Sequence, residues 1–322
     1  MPQIKGKNVL VTGGAGFIGS HLCDELLHKG AGKVVCVDNF FLGKMDNVSS
    51  AMEHDNFILY RDDCRHFGVM QSIIDKEKIE VVFNMATIAL NYSFFNPFDA
   101  YMVNVEIANT LLELLKVKAY STLIHTSSSE AYGTAQYSPM DENHPTDPTT
   151  PYAAGKAAAD IMVHSFAKVL DMDISIIRPF NNYGPRQNAE GPLAGIIPVT
   201  AKRIKNGQMP VINGDGEQTR DFIFVKDTVR GLLLAYEKEQ SRGKIINLGS
   251  GKDISMNSLI GKICNYMGYS GEWEHKEDRT SDVRKLCADI KRAKTVLDFT
   301  PEVSFEEGIK ETLDWYNHNN MI

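Results

Sequence analysis

Asn8-Val9-Leu10-Val11-Thr12-Gly13-Gly14-Ala15-Gly16-Phe17-Ile18-Gly19 is the stretch whose reading decides the fold. Its first residues form a short apolar strand, and a helical pattern follows the glycines to about His28. The glycines permit a tight turn and close backbone approach, so that amides at the helix start can meet a pyrophosphate. Immediately outward, Lys33-Val34-Val35-Cys36-Val37-Asp38 is a second apolar strand ending in an acid. That acid lies about twenty residues beyond the loop, where a carboxylate accepts a hydrogen bond from an adenosine ribose. Strand, glycine turn, helix, strand and acid together predict a dinucleotide site. Asp38 favours NAD over NADP because it would repel a 2'-phosphate. Residues 39–44 read as a loop closing over the ribose, beginning with Asn39.

Further out, residues 57–60 and 78–84 are strand candidates. Asp62-Asp63 at the end of the first can lie near adenine or on an exposed turn. Met85-Ala86-Thr87 at the end of the second can border a cofactor or pack as a strand terminus. Residues 97–117 carry helical spacing, with Asn104 as a polar member that can brace a neighbouring loop. Residues 122–126 form a fifth strand that delivers Ser127-Ser128-Ser129-Glu130-Ala131-Tyr132-Gly133 at its carboxyl end, where a parallel sheet binds substrates. A proline-rich excursion, 137–151, leads to Pro151-Tyr152-Ala153-Ala154-Gly155-Lys156. On a helix, Tyr152 and Lys156 stand one turn apart on one face, so an ammonium can make a phenol a usable base.

Residues 174–177 are a sixth strand, and 178–187 leave it as a polar loop. Later the pattern is less regular, with helices at 196–206, 228–238, 256–267, 289–297 and 305–316 and strands at 210–212, 221–225 and 245–248. The expected fold is α/β: a Rossmann-like doubly wound parallel sheet with a smaller carboxyl-terminal α/β lobe for substrate. The expected division is 1–178 for the NAD-binding domain and 179–322 for a lobe interleaved with late elements of the first. Trp273 and Trp315 have no ladder of partners and read as packing residues.

At 322 residues and 43% hydrophobic, the chain can bury a substantial core. A formal charge of -7 argues against a nucleic-acid surface. No stretch is apolar enough for a bilayer span and no signal run opens the chain, so the compartment reads as cytoplasmic. Cys23, Cys36, Cys64, Cys264 and Cys287 lack CxxC spacing, so neither a disulfide framework nor a metal site is expected.

The glycine loop, Asp38, the Ser127–Gly133 run, Tyr152 with Lys156, Arg178-Pro179-Phe180-Asn181-Asn182-Tyr183-Gly184-Pro185-Arg186-Gln187, and Arg220-Asp221-Phe222 together resemble the extended short-chain dehydrogenase/reductase family. The resemblance is to its nucleotide-sugar branch and spans essentially the whole chain, down to Arg279-Thr280-Ser281-Asp282-Val283-Arg284. It implies an enzyme that transiently oxidises C4 of a nucleotide-hexose with NAD. Tyr152 takes the 4-hydroxyl proton, Ser128 holds that hydroxyl, and Lys156 binds the nicotinamide ribose and lowers the tyrosine pKa. The implied cofactor set is Gly13, Gly16, Phe17, Ile18, Gly19, Asp38, Asn39, Asp63, Cys64, Met85 and Ala86, with Tyr152 and Lys156. For the nucleotide sugar the set is Asn181, Tyr183, Arg186, Arg220 and Arg279, the arginines suited to a diphosphate.

Glu130 separates reaction classes within the branch. Epimerases usually carry a small or neutral residue there, whereas 4,6-dehydratases carry a glutamate that removes the C5 proton while water leaves C6. Ser129 stands where the common dehydratase pair has an aspartate, although GDP-mannose dehydratases, some N-acetylglucosamine dehydratases and UDP-glucuronate decarboxylases also carry Ser-Glu. The resemblance is therefore taken furthest as an NAD-dependent dehydratase, with UDP-N-acetylglucosamine as the expected substrate. A 4-epimerase, a UDP-glucuronate decarboxylase and a dehydratase returning its hydride to C4 to leave a 5,6-alkene are the alternatives. Asp62, His66, the run Asn84-Met85-Ala86-Thr87-Ile88-Ala89 and Phe94-Phe95 depart from the usual family pattern. Homodimerisation is implied through the helices near 97–117 and 152–170, whose apolar faces equally suit burial against the sheet.

Overall fold

The computed structural model describes residues 2–277 and 283–319. Strands β1 (Asn8–Thr12), β2 (Lys33–Asp38), β3 (Phe57–Arg61), β4 (Val81–Asn84), β5 (Thr122–Thr126) and β6 (Ile174–Pro179) alternate with helices α1 (Phe17–His28), α2 (Phe67–Glu77), α3 (Pro97–Lys116) and α4 (Pro151–Val169). All of them are near-continuous apolar runs because both faces of the sheet are covered. One layer, with α1, buries Leu22, Leu26 and Val34, and the opposite layer, with α2, α3 and α4, buries Ile74, Leu111 and Val163. Helix α4 begins where it does because the Thr150 side chain accepts from the Ala153 amide and Pro151 occupies the first turn. That start sets the height of Tyr152 along the sheet.

Beyond β6 come β7 (Asn181–Tyr183), α5 (Ile196–Lys205), β8 (Val211–Asn213), β9 (Thr219–Phe224) and α6 (Val225–Glu237). They are followed by β10 (Ile245–Leu248), β11 (Asp253–Ser255), α7 (Met256–Met267), β12 (Glu274–Lys276), β13 (Lys285–Leu286) and α8 (Phe305–His318). Strand β10 returns to the large sheet, whose seven strands run in the order β10-β6-β5-β4-β1-β2-β3 with parallel pairing throughout. The order reverses between β1 and β4, and a crevice opens there at the carboxyl ends of the strands. The smaller lobe holds a four-stranded sheet of β7, β9, β11 and β13, a β8–β12 pair, and α5, α7 and α8 around their own apolar core. Asp221 of β9, fully buried, accepts from the amides of Ser250, Gly251 and Ala288 and ties the lobe to the turn after β10. Asp227 does the same at the start of α6, accepting from the amides of Glu302 and Val303.

Three local expectations are revised. Helix α2 was not among the predicted elements, although Met70, Ile73 and Ile74 have helical spacing and bury its inner face. Lys78 closes that helix in the left-handed region at φ 52°, so the strand expected from 78 starts at Val81. The helix expected over 289–297 is mostly a π-helical turn, Ala293–Leu297, ended by Asp298 at φ 58°. Among the described residues no helix is long and apolar enough to cross a membrane.

Candidate active site

The crevice is a cavity of about 970 Å³. Its floor is the glycine loop. Gly13 adopts φ 66°, and a Cβ there would stand 2.8 Å from the Ala86 Cα; a Cβ on Gly19 would stand 2.2 Å from the Gly13 carbonyl oxygen. The loop can therefore keep this path only with glycine. Helix α1 begins at Gly16 with no side-chain cap, leaving its first amides to an external acceptor. Thr12 Oγ1 donates to Asn84 Oδ1 at 2.8 Å and accepts from the Met85 and Ala86 amides, locking β1 to β4 at the switch point.

Asp38, buried at the end of β2, accepts from the Ala15 amide at 3.0 Å and the Phe40 amide at 2.8 Å. Burial raises its pKa, and those hydrogen bonds oppose the rise. Gly43 of the following loop lies against this carboxylate, and the Lys44 amide donates to the Ala15 carbonyl, so the loop folds back over the site. Asn39 donates to Asp63 at 3.2 Å. Burial works against an ionised Asp63, but Arg65 and Asn39 prevail and hold it at about 2. Cys64 is buried, with its thiol directed at the Val37 carbonyl and pushed well above the usual range by burial. Gly13, Gly16, Phe17, Ile18, Gly19, Asp38, Asn39, Asp63, Cys64, Met85 and Ala86 all line the cavity. An open helix start, glycines that admit a close backbone and an acid at the ribose position fit a dinucleotide such as NAD.

Across the cavity stand Ser128, Ser129, Glu130, Tyr152 and Lys156. Ser128 ends β5 as the cap of a short turn, its Oγ accepting from the Glu130 amide at 3.2 Å. Tyr152 is half-buried; its amide donates to Ser93 Oγ at 3.0 Å. Burial pushes the phenol up to about 12, hydrogen bonding to Ser128 and Thr87 opposes the rise, and the Glu130 charge adds to it. This reverses the expectation that Lys156 lowers it. The reason is burial, which outweighs the groups that favour the phenolate; Lys156 Nζ donates to the Thr126 carbonyl at 3.0 Å, and burial brings its own pKa down to about 8. Asn104 braces the loop as expected, accepting from Thr87 Oγ1 at 2.7 Å.

The substrate residues fare unevenly. Asn181 and Arg186 line the cavity. Arg186, at φ 66°, is engaged with Asp24 of α1 at 2.7 Å. Tyr183 does not reach the cavity: its strand turns the ring into the lobe core against Phe222, Phe224 and Phe305, and its hydroxyl meets the Phe305 carbonyl. Arg220 is buried and does not line the cavity either; its Nη1 donates to the Thr219 carbonyl. Arg279 lies outside the described residues. Conversely, Trp315 and Asn319 of the α8 end line the cavity, as do Gln187, Leu193 and Glu190. Trp315 reads as a packing residue, and it does pack on the lobe core. No signal in the sequence brings α8 to the cavity. No cluster of three or more metal-ligating side chains exists among the described residues.

A dinucleotide cleft facing a serine, a tyrosine and a lysine is an arrangement suited to oxidising and reducing a hydroxyl carbon. The family model for GDP-mannose 4,6 dehydratase matches residues 10–312. A UDP-glucose 4-epimerase from Mycolicibacterium smegmatis is 35% identical over 97% of this chain and 99% of its own. A UDP-glucose 4-epimerase from Thermotoga maritima, solved with UDP-glucose, superposes with a TM-score of 0.91 at 33% identity, covering 97% of this chain and 99% of that one. A dTDP-glucose 4,6-dehydratase from Streptomyces venezuelae, solved with NAD, gives a TM-score of 0.92 at 26% identity and 98% coverage of both chains. The chain belongs to the extended short-chain dehydrogenase/reductase family of nucleotide-sugar epimerases and dehydratases and is an NAD-dependent enzyme.

Proposed function

We propose that this enzyme is a nucleotide-sugar 4-epimerase acting on a UDP-hexose. The observation that carries the reading is Ser129. It is 2% exposed and stands where the related dehydratases commonly carry the aspartic acid that helps the C6 hydroxyl leave. A serine hydroxyl is a far weaker acid than a carboxylic acid; some dehydratases work with the same Ser-Glu pair, but inversion at C4 needs no acid there at all. The 4-epimerases from Mycolicibacterium smegmatis and Thermotoga maritima support the same reading. Ser128 orients the 4-hydroxyl, Tyr152 accepts its proton and returns it to the C4 oxygen once the keto sugar has turned its other face to the hydride donor, and the Lys156 ammonium stabilises the phenolate between those steps. Bound NAD supplies the hydride acceptor and donor at C4. Gly13, Gly16 and Gly19 with the α1 amides hold its pyrophosphate, and Asp38 its ribose. Asn181 and Arg186 serve the sugar nucleotide.

Glu130 favours a second reading, since a carboxylate on the cavity wall can remove a C5 proton and make the enzyme a dehydratase. Mass spectrometry and NMR after incubation with NAD and UDP-glucose, UDP-N-acetylglucosamine, GDP-mannose, dTDP-glucose and UDP-glucuronate separate the two. A product of unchanged mass with inverted C4 is expected; loss of one water, abolished in Glu130→Gln together with C5-hydrogen exchange, would replace the proposal with the dehydratase. Loss of carbon dioxide from UDP-glucuronate would instead make it a decarboxylase.

We also infer a homodimer through α3 and α4. Phe98, Ile161 and Val169 are 74%, 68% and 77% exposed on these packed helices, an apolar outer face suited to a four-helix interface. Light scattering after size exclusion should give twice the chain mass, and a monomer would remove this inference.

A further inference from the structure

Tyr152, Lys156 and Asp160 occupy successive turns of α4, so a phenol, an ammonium and a carboxylate stand in line on one helix face. Asp160 is 1% exposed. Its Oδ2 accepts from Ser127 Oγ at 2.6 Å and from Arg178 Nε at 2.8 Å. Its Oδ1 is buried without a hydrogen bond and faces His125 Nε2, equally without one, at 3.6 Å.

The protons on this chain can be assigned. Thr12 Oγ1 accepts from the Met85 and Ala86 amides, so its own hydrogen goes to Asn84 Oδ1. The Asn84 amide nitrogen therefore donates to His125 Nδ1 at 3.0 Å. Burial brings His125 down to about 4, so the ring is neutral and carries its one hydrogen on Nε2, directed at Asp160. A buried line, hydrogen-bonded from Thr12 through Asn84 to His125 and ending in the 3.6 Å approach of His125 to Asp160, thus runs from the end of β1 to the helix face beneath Tyr152.

We propose that Asp160 is a positioning residue of this site, its carboxylate bound to Arg178 and buried one helix turn from Lys156, so that the Lys156 side chain stays charged beneath Tyr152. The inference rests on the reading of Tyr152 and Lys156 as the reacting pair. Lys156 makes one hydrogen bond to a neutral carbonyl, and Asp160 is the charge that favours its protonated form against burial. Arg178 is held on the far side of the carboxylate, its guanidinium 4.5 Å from the centre of the Tyr132 ring. The other titratable groups facing this face are His125 of β5, Glu130 and Tyr132 of the turn after it, His164 of α4, and Tyr101 of α3, which packs at Gly155.

The competing account is that Asp160 serves only Arg178. Both accounts expect Asp160→Asn to lower the melting temperature, because it leaves a buried guanidinium without its partner. They part on the titration of Lys156, which lysine 13Cε NMR follows directly, the signal being assigned by its loss in Lys156→Arg. In Asp160→Asn the Lys156 midpoint should fall by about one pH unit or more, a tenfold change in the protonation equilibrium. Asp160→Asn/Arg178→Met removes both buried charges, keeps the fold if the single variant does not, and should shift the midpoint in the same direction. A midpoint unmoved in the folded variants would overturn the proposal. Because the titration needs no substrate, that outcome would leave the 4-epimerase reading untouched, and absence of epimerised product would leave the titration result standing.

Discussion

The cofactor wall of the cavity is made of backbone, and the facing substrate wall is made of side chains from distant segments. On the first, the Gly13 amide donates to the Val37 carbonyl at 2.8 Å, and Thr12, Asn84, Met85 and Ala86 interlock across the switch point, all at the ends of buried strands. On the second, Asn91 reaches the Pro192 carbonyl at 3.2 Å, Lys44 pairs with Glu190 at 3.2 Å, and Phe41 meets Tyr92 edge-on at 5.1 Å. These contacts are exposed, and an exposed ion pair contributes about 0–1 kcal/mol. The sheet thus presents one rigid dinucleotide surface, while the opposite wall can re-form around another sugar at little cost.

The chemistry between the walls gives the largest expected effect. Tyr152→Phe should lower turnover by roughly 10²–10⁴-fold, the usual worth of a positioned acid–base group, while equilibrium dialysis finds NAD affinity unchanged. Weakened NAD binding of comparable size would mean that Tyr152 belongs to the cofactor wall instead. Next, Gly19→Ala forces a Cβ to 2.2 Å from a backbone oxygen that cannot yield. We expect NAD affinity to fall more than tenfold and chemical denaturation to register a loss of about 1–3 kcal/mol. A neutral result there would show that the glycine loop is not rigid.

The pH dependence comes third. Burial lowers Lys156 to about 8, so the ammonium is present below that pH and lost as pH rises through it. In kcat/KM profiles the rate should decline above about 8, and a rate still climbing to pH 10 would separate catalysis from the Lys156 charge. Asp38→Asn removes the charge that repels a 2'-phosphate, and the ratio of NADP to NAD affinity should rise by roughly tenfold. The smallest effect belongs to the substrate wall. Glu190→Gln should leave the melting temperature unchanged and raise KM for the sugar nucleotide at most roughly fivefold, equivalent to about 1 kcal/mol. A large loss of stability would erase the contrast between the walls.

The substrate-side expectations met different fates for physical reasons. Tyr183 has the family spacing, but its ring is packed against Phe222, Phe224 and Phe305 in the lobe core rather than lining the cavity. Spacing puts Tyr152 and Lys156 one turn apart on α4, yet it carried no information about burial, which drives the phenol up instead of down.

Sequence by itself determined the dinucleotide half: local glycine geometry, strand periodicity and the acid closing β2 are properties of neighbouring residues, and they dictate a parallel sheet with an NAD cleft at its switch point. It also placed a serine at a strand end and a tyrosine and a lysine one helical turn apart, and all three line the cavity. Only the tertiary structure decided that α8 supplies Trp315 to the cavity, that Arg186 engages Asp24, and that Asp160 lies buried against Arg178. Such contacts join residues distant in the chain, and the burial that sets their protonation is a property of the packed fold.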